Sequence, residues 1–414
     1  MKSKIFNFLI YGFGQSINIL GPLLIVPHII TTCGFEGLGK VGIAFSLSLL
    51  LCCFIDYSSA IIGTKDISIH RENQTTLGTI VADFLGAKFI ITVIAILGLL
   101  IAINLIPFLS ENKTLYYGLI PLLIAQLFHP NWILQGVEKF KVIAVINLLS
   151  KGLYLSLVFL LVTKETDYIW VNFYLGISNL IFFFASIVYI ILKLGIRFNS
   201  IDLKKSFSLI QRDFSICISE FCLAIYQFFP IILVGYILGN ASAGIFKVIE
   251  QIISVFRTYI FMFFNFSYPT VCFDFEKTKR KGLKTWIVYH LINVIIILFG
   301  SIFIYILKDY VLTFFKVSPE NLEEVNYYLK FALIVPIILA ISQGLRQLMF
   351  VLELMKPYTL IIYASTLINI IFMVYLADKM GIFGVILAMI IVEIIVCSLY
   401  IFFTKKQIKH TVLP

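Results

Sequence analysis

The segment KVIEQIISVFR, residues 247–257, sets Lys247, Glu250, Ser254 and Arg257 into a run otherwise rich in Ile, Val and Phe. At 100° per residue these four fall within less than a quarter turn, a polar stripe about 15 Å long. Such groups can hold an anion, because a guanidinium donates two parallel hydrogen bonds to a phosphate and an ammonium supplies a point charge. Other ionisable residues also interrupt apolar runs: Asp56, Asp83, Lys88, Lys151, Glu220, Lys330, Arg346, Glu353 and Glu393. At membrane depth each costs at least about 2.5 kcal/mol, so it must face water or an opposite charge. Asp83, Lys330 and Glu353 lie near the ends of their runs, where long side chains snorkel outward.

Two readings of the deeper cations stay open. Pairing with Asp56, Glu220 and Glu393 would absorb some of them structurally. Alternatively, cations on several helices line a wet cavity whose field attracts an anionic solute. On the second reading Arg257, Lys151 and Arg346 bind the anion, with Lys88 and Lys247 next, and Asp56, Glu220 and Glu250 serve ion coupling or gating. Asp56 has three candidate roles: counter-ion, protonatable coupling group or gate partner. His28 and His129 adjoin prolines and belong to no metal-ligand cluster. No metal or cofactor is implied; a proton or sodium gradient is the one candidate energy source.

The elements that must position these residues follow from composition. The 414 residues are 60% hydrophobic and only 13% charged, with mean hydropathy +1.01. Soluble domains carry about 25% charged residues, so this is an integral membrane chain whose units are spanning helices of about 20 residues. Apolar runs predict twelve spans, near 5–31, 41–63, 79–106, 115–135, 142–163, 168–192, 213–238, 244–271, 285–307, 326–352, 358–377 and 382–403. The basic start followed by a long apolar run predicts a retained first span, not a signal peptide. With both termini inside, 20 Lys and Arg lie on the cytoplasmic side against 6 outside, as the positive-inside rule requires. That bias accounts for the net charge of +10 without nucleic acid as a partner. The seven cysteines form no CxxC pair, so neither a disulfide framework nor a zinc site is suggested.

The basic loop 193–214 divides the chain, predicting six-helix bundles at 1–200 and 201–414. A shift of 217 residues aligns Gln126 with Gln343 and Lys139 with Lys356. Repeated halves of this kind place a substrate site between them.

The segment PLLIVPHIITTCGFEGLGKVGIAFSL, residues 22–47, resembles the opening of Wzx-type polysaccharide repeat-unit flippases, through Gly34, Glu36, Gly37 and Gly39. IDYSSAIIGTKDIS (55–68) and QGVEKFK (135–141) resemble later segments of that family, departing from it at Ser58 and Ser59. The resemblance implies a MATE-like, V-shaped all-α membrane fold of two six-helix bundles with alternating access. It implies transport, without catalysis, of an undecaprenyl-diphosphate-linked oligosaccharide from the cytoplasmic to the periplasmic leaflet of the bacterial inner membrane. Membrane lipid, the polysaccharide polymerase and the chain-length regulator are the implied partners. Within the resemblance, the loop glycines and the turn at Gln135 and Gly136 read as architectural.

An ion-coupled multidrug exporter of the same superfamily is the nearest rival; it would favour a more acidic cavity. A peptidoglycan-precursor flippase would have more spans. An O-antigen polymerase would need a large outer loop, and a membrane glycosyltransferase would need clustered acidic residues on an early one.

Overall fold

A computed structural model describes residues 2–193, 195 and 202–411, with side chains described at 21, 23–193, 195 and 202–408. Among these the secondary structure is helical and contains no strand, as required of backbone that must satisfy its own polar groups in hydrocarbon. The helices are α1 (Lys2–Asp56), α2 (Thr64–Ile69), α3 (Gln74–Leu105), α4 (Pro107–Ser110), α5 (Lys113–Tyr117), α6 (Ile120–Leu127), α7 (Asn131–Gly136) and α8 (Phe140–Leu161). They continue as α9 (Tyr168–Lys193), α10 (Leu203–Leu238), α11 (Asn240–Lys277), α12 (Lys279–Ile306), α13 (Lys308–Phe314), α14 (Pro319–Ala332), α15 (Ile334–Val351) and α16 (Met355–Thr411). Two compact units result, Met1–Ile232 and Leu233–Pro414. The expected boundary at 200–201 lies outside the described residues, as do the side chains of Lys2, Lys4, Pro22, Arg197 and Lys409.

Eight helices among the described residues are long and apolar enough to cross a membrane. Several predicted spans are broken or joined for identifiable reasons. The first two share α1, interrupted at Gly34 with φ 71° and ψ −179°, a conformation open to glycine. The last two share α16, interrupted in the same way at Gly381, φ 61°. The predicted span 115–135 is three short helices, α5 to α7, because Pro121 opens α6 and Pro130 caps α7; a ring without an N–H suits a helix start and not its interior. The predicted 41–63 ends early: α1 stops at Asp56, Tyr57 is left-handed at φ 53°, and a π-helical turn covers Ser59–Gly63.

One helix-ending turn recurs along the backbone. Glu138 and Glu353, 215 residues apart, are both left-handed, at φ 58° and 57°. Each is followed by the same helix-ending bond, Lys139 N–H to Leu134 O at 2.8 Å and Leu354 N–H to Met349 O at 2.9 Å. Lys316 follows α13 in the same way, at φ 57° with Val317 N–H donating to Leu312 O at 3.1 Å, the left-handed cap common at helix C-termini.

In the first unit the core gathers Ile67, Leu77, Val81, Phe84, Trp132 and Ile187. Gly63 and Gly136 let α2 and α7 meet there: a Cβ on Gly63 would lie 2.8 Å from the Trp132 ring, and one on Gly136 would lie 2.6 Å from Ile67 Cβ. In the second unit Ile260, Ile297, Leu339 and Ala340 form a buried cluster. α12 exposes Leu291, Ile295, Phe299, Ile302 and Phe303, the outward apolar face expected of a helix against lipid.

Candidate functional site

In the first unit, α1 ends on Asp56 and turns sharply through Tyr57, so the carboxylate sits at the edge of a cavity of about 320 Å³. Asp56, Gln126, Lys151, Asn179 and Glu220 supply its ionic and amide groups, with Phe45, Leu49 and Leu175 on the apolar side. Asp56 is held by both oxygens. Lys88 Nζ, on α3, donates to Oδ1 at 2.9 Å, and Gln126 Nε2, on α6, donates to Oδ2 at 2.6 Å. Lys88 is fully buried, whereas the Asp56 side chain keeps 27% exposure. The ion pair therefore places its negative member toward the cavity.

Lys151, on α8, lines the same cavity with its ammonium 6.0 Å from the Tyr154 ring centroid; it has no carboxylate partner among the described residues. Beside it Ser150 Oγ donates to Asn179 Oδ1 at 2.6 Å, fixing the amide of α9. The turn after Asp56 is tied to α10: Ser58 Oγ donates to Asp213 Oδ2 at 2.6 Å, and Tyr57 O–H donates to the Ile210 carbonyl. Arg212 also grips Asp213, at 2.7 and 3.0 Å.

The second unit holds the other candidate residues. Along α11, Lys247 Nζ donates to Glu250 Oε2 at 2.7 Å, and Arg257 Nη1 lies 3.6 Å from Oε1. All three side chains are at least 85% buried. The stripe thus brackets one carboxylate between two cations, leaving one positive charge in excess. Arg346 lies 5.2 and 5.3 Å from the Phe350 and Tyr358 ring centroids and donates to Gln343 Oε1 at 3.3 Å. Ser342 donates to the buried Glu393 carboxylate.

Of the five candidate anion-binding cations, Lys88 and Lys151 fall in the first unit, and Lys247, Arg257 and Arg346 in the second. Of the three candidate coupling acids, Asp56 and Glu220 share the cavity, while Glu250 belongs to the α11 stripe. Sequence reasoning missed Gln126 and Asn179 as cavity residues. Their signal was available: each is an isolated amide in an apolar run, LLIAQLF and GISNLIF. His28 bonds the Val162 carbonyl at 2.9 Å and His129 packs on Phe183, with ring centroids 4.9 Å apart. Among the described residues no three His, Cys, Asp or Glu side chains are placed to share a metal ion.

A family model described as polysaccharide biosynthesis protein matches residues 6–272, well over half of the chain and all of the cavity residues. The chain belongs to this polysaccharide biosynthesis family. A candidate O-antigen transporter of Escherichia coli (strain K12) is 23% identical over 269 residues, an alignment that spans 65% of this chain and 65% of that relative's length. A second, from Shigella dysenteriae, is 19% identical over 99% of this chain and 100% of its own. Among solved structures, a multidrug resistance MATE family transporter of the MOP superfamily, in an inward-facing conformation, superposes with TM-score 0.74 at 13% identity. That match covers 96% of this chain and 95% of the other. A MOP superfamily transporter from Pyrococcus furiosus, described as having a binding pocket of reverse polarity, gives TM-score 0.64 at 15% identity, over 97% and 94%. These likenesses establish a shared all-α membrane fold.

Proposed function

We propose that this chain flips an undecaprenyl-diphosphate-linked oligosaccharide from the cytoplasmic to the periplasmic leaflet of the bacterial inner membrane, for O-antigen or related surface polysaccharide. The observation that carries the reading is that the polar cavity of the first unit falls wholly inside the family match at 6–272. The names of the two O-antigen transporter relatives supply the substrate class.

Lys151 attracts the anionic part of the substrate, because its charge is not cancelled by a bonded carboxylate among the described residues. Lys88 acts through Asp56, whose two hydrogen bonds fix the carboxylate as a counter-ion at the cavity wall. Asn179 and Gln126 offer amides to sugar hydroxyls. In the second unit Arg346, held near the Phe350 and Tyr358 rings, is the cation suited to phosphate, because a guanidinium can donate two parallel hydrogen bonds, while Lys247 and Arg257 set the field along α11 with Glu250. Glu220 is the carboxylate that gates or couples. Transport proceeds by alternating access through twelve membrane segments in two halves, 1–200 and 201–414, with both termini cytoplasmic. Membrane lipid, the polymerase and the chain-length regulator are its partners.

The test is complementation of a strain lacking its repeat-unit flippase, with surface polysaccharide and protein level read together. Wild type restores polysaccharide, and Lys151→Ala loses it at unchanged protein level. Failure of well-expressed wild type, in its native polysaccharide background, overturns the reading. A second reading, ion-coupled multidrug export, is favoured by the two carboxylates Asp56 and Glu220 at the cavity. It predicts resistance to cationic drugs on expression, lost in Glu220→Gln.

A further inference from the structure

A second polar enclosure lies in the second unit, between α11, α12 and α15, and nothing in the transport reading uses it. Trp286 Nε1 donates to the Gly344 carbonyl at 2.8 Å, and its indole stacks on the His290 ring, 5.1 Å between centroids and 7° from parallel. Gly344 permits the approach: a Cβ there would lie 2.9 Å from His290 Cγ and closer still to Nδ1. The imidazole is thereby set at the wall of a cavity of about 10 Å³, which Ser267, Asn293, Gln343 and Gln347 also line.

Two buried polar atoms at this cavity have no hydrogen-bond partner among the described residues, His290 Nδ1 and Asn293 Oδ1. Asn293 is only 5% exposed. Leaving each unpaired would cost about 1–3 kcal/mol. The neighbouring amides are engaged elsewhere: Gln347 Nε2 donates to Ser267 Oγ at 2.9 Å and the Phe264 carbonyl at 3.3 Å, and Gln343 Oε1 accepts from Arg346. A water needs about 10–15 Å³ and two to four polar partners, and a water can donate to both orphan acceptors at once.

We propose that this cavity is a single-water proton site, in which one water bridges His290 Nδ1 and Asn293 Oδ1 and His290 takes up a proton through it. A proton arriving from bulk acid as hydronium passes to Nδ1; the N–H bond forms as an O–H bond breaks. The water is left neutral, the charge rests on the ring, and the water then accepts from Nδ1 while still donating to Asn293.

The groups facing the ring from the packed helices are neutral: Phe263, Phe264 and Ser267 from α11, and Gln343, Gly344 and Gln347 from α15. The charged and titratable groups on those elements lie around it. Arg346 bonds Gln343, Tyr289 packs on Phe263 from α12 itself, and Tyr268 and Cys272 follow on α11. Asp274 pairs with Lys281 at the α11–α12 corner, and Tyr259, Arg257, Glu250 and Lys247 lie toward the other end of α11. On α12 itself Lys279, Arg280 and Lys284 lie toward the start of the helix and Tyr305 toward its end.

The chain has three tryptophans. With Trp132→Phe and Trp170→Phe, Trp286 becomes the sole emitter, and a stacked imidazolium quenches it. In nanodiscs of phosphatidylethanolamine and phosphatidylglycerol, emission is followed from pH 4 to 9. The expected result is a one-proton quenching step that is lost in His290→Gln and moved by about half a pH unit or more in Asn293→Leu. On the unaltered chain, hydrogen exchange at the His290 ring C–H, read by mass spectrometry, gives the same titration without any substitution. A flat profile in both measurements, a step that survives His290→Gln, or an unmoved midpoint in Asn293→Leu overturns the proposal.

Discussion

The Lys88–Asp56 pair makes the sharpest demand on stability. At 2.9 Å and an effective dielectric of about 20, the attraction is about 6 kcal/mol. Desolvating two ions costs several kcal/mol each and offsets most of it. Deleting Asp56 alone abolishes the attraction and leaves a fully buried ammonium, for a net loss of about 3–5 kcal/mol. The freed Gln126 amide adds about 1 kcal/mol. For a unit of this size each kcal/mol moves the midpoint by about 2–4 °C, so Asp56→Leu falls by roughly 10 °C or more. Lys88→Met is milder, because the Asp56 carboxylate keeps Gln126 and partial access to water. The double variant Asp56→Leu/Lys88→Met removes both charges and recovers most of the loss. The assay is thermal unfolding in detergent by intrinsic fluorescence, checked by size exclusion after heating. If the double variant is as unstable as the sum of the singles, the two residues do not act as a pair. If Asp56→Leu is as stable as wild type, Lys88 is not the uncompensated buried charge that the geometry requires.

Three further outcomes follow from other contacts. Gly136→Ala forces a methyl against Ile67 Cβ at 2.6 Å and the Thr64 carbonyl at 3.1 Å and should cost about 1–3 kcal/mol. Gly152→Ala, with nothing within 4 Å, should be neutral or stabilising by up to about 1 kcal/mol, and the two melting curves compared side by side check the pair. Asp274 accepts from Lys281 and Thr285, both at the α11–α12 corner, which hold its carboxyl below its ordinary range. A depressed folded value contributes stability that is present above the unfolded value of about 4 and lost as pH falls from there through the folded value; protection of the amides at 278–282, the observed exchange rate divided into the intrinsic rate at each pH, should therefore fall on acidification in wild type and be already low, and less pH-dependent, in Asp274→Asn. Arg346→Lys keeps the charge but loses the guanidinium's cation–π contacts with Phe350 and Tyr358, and should lower stability by about 1–2 kcal/mol; Phe350→Leu in that background should then add less than it does in wild type.

Much of the fold was legible because lipid imposes a one-dimensional rule. Long apolar runs such as 79–106 and 285–307 coincide closely with α3 and α12, since each helix satisfies its own backbone and needs no partner to be recognised. The broken segment at 115–135 was not read correctly from hydropathy, which ignores the helix-starting preference of Pro121 and Pro130.

The site divides along the same line. The ionisable residues that interrupt the apolar runs, and the likeness of segments 22–47 and 55–68 to polysaccharide flippases, could be read from residue order alone. Hydropathy and motif spacing are local properties of the chain. Which charge answers which is not local. Asp56 meets Lys88, 32 positions on, and Gln126, 70 positions on, because α1, α3 and α6 converge, and the cavity lined by His290 and Asn293 exists only where Gly344 lets α15 approach α12. Sequence determined that these charges must be compensated or wet. The packing of the helices decided which of them are compensated, because a buried ion is governed by the few ångströms around it and not by its place in the chain.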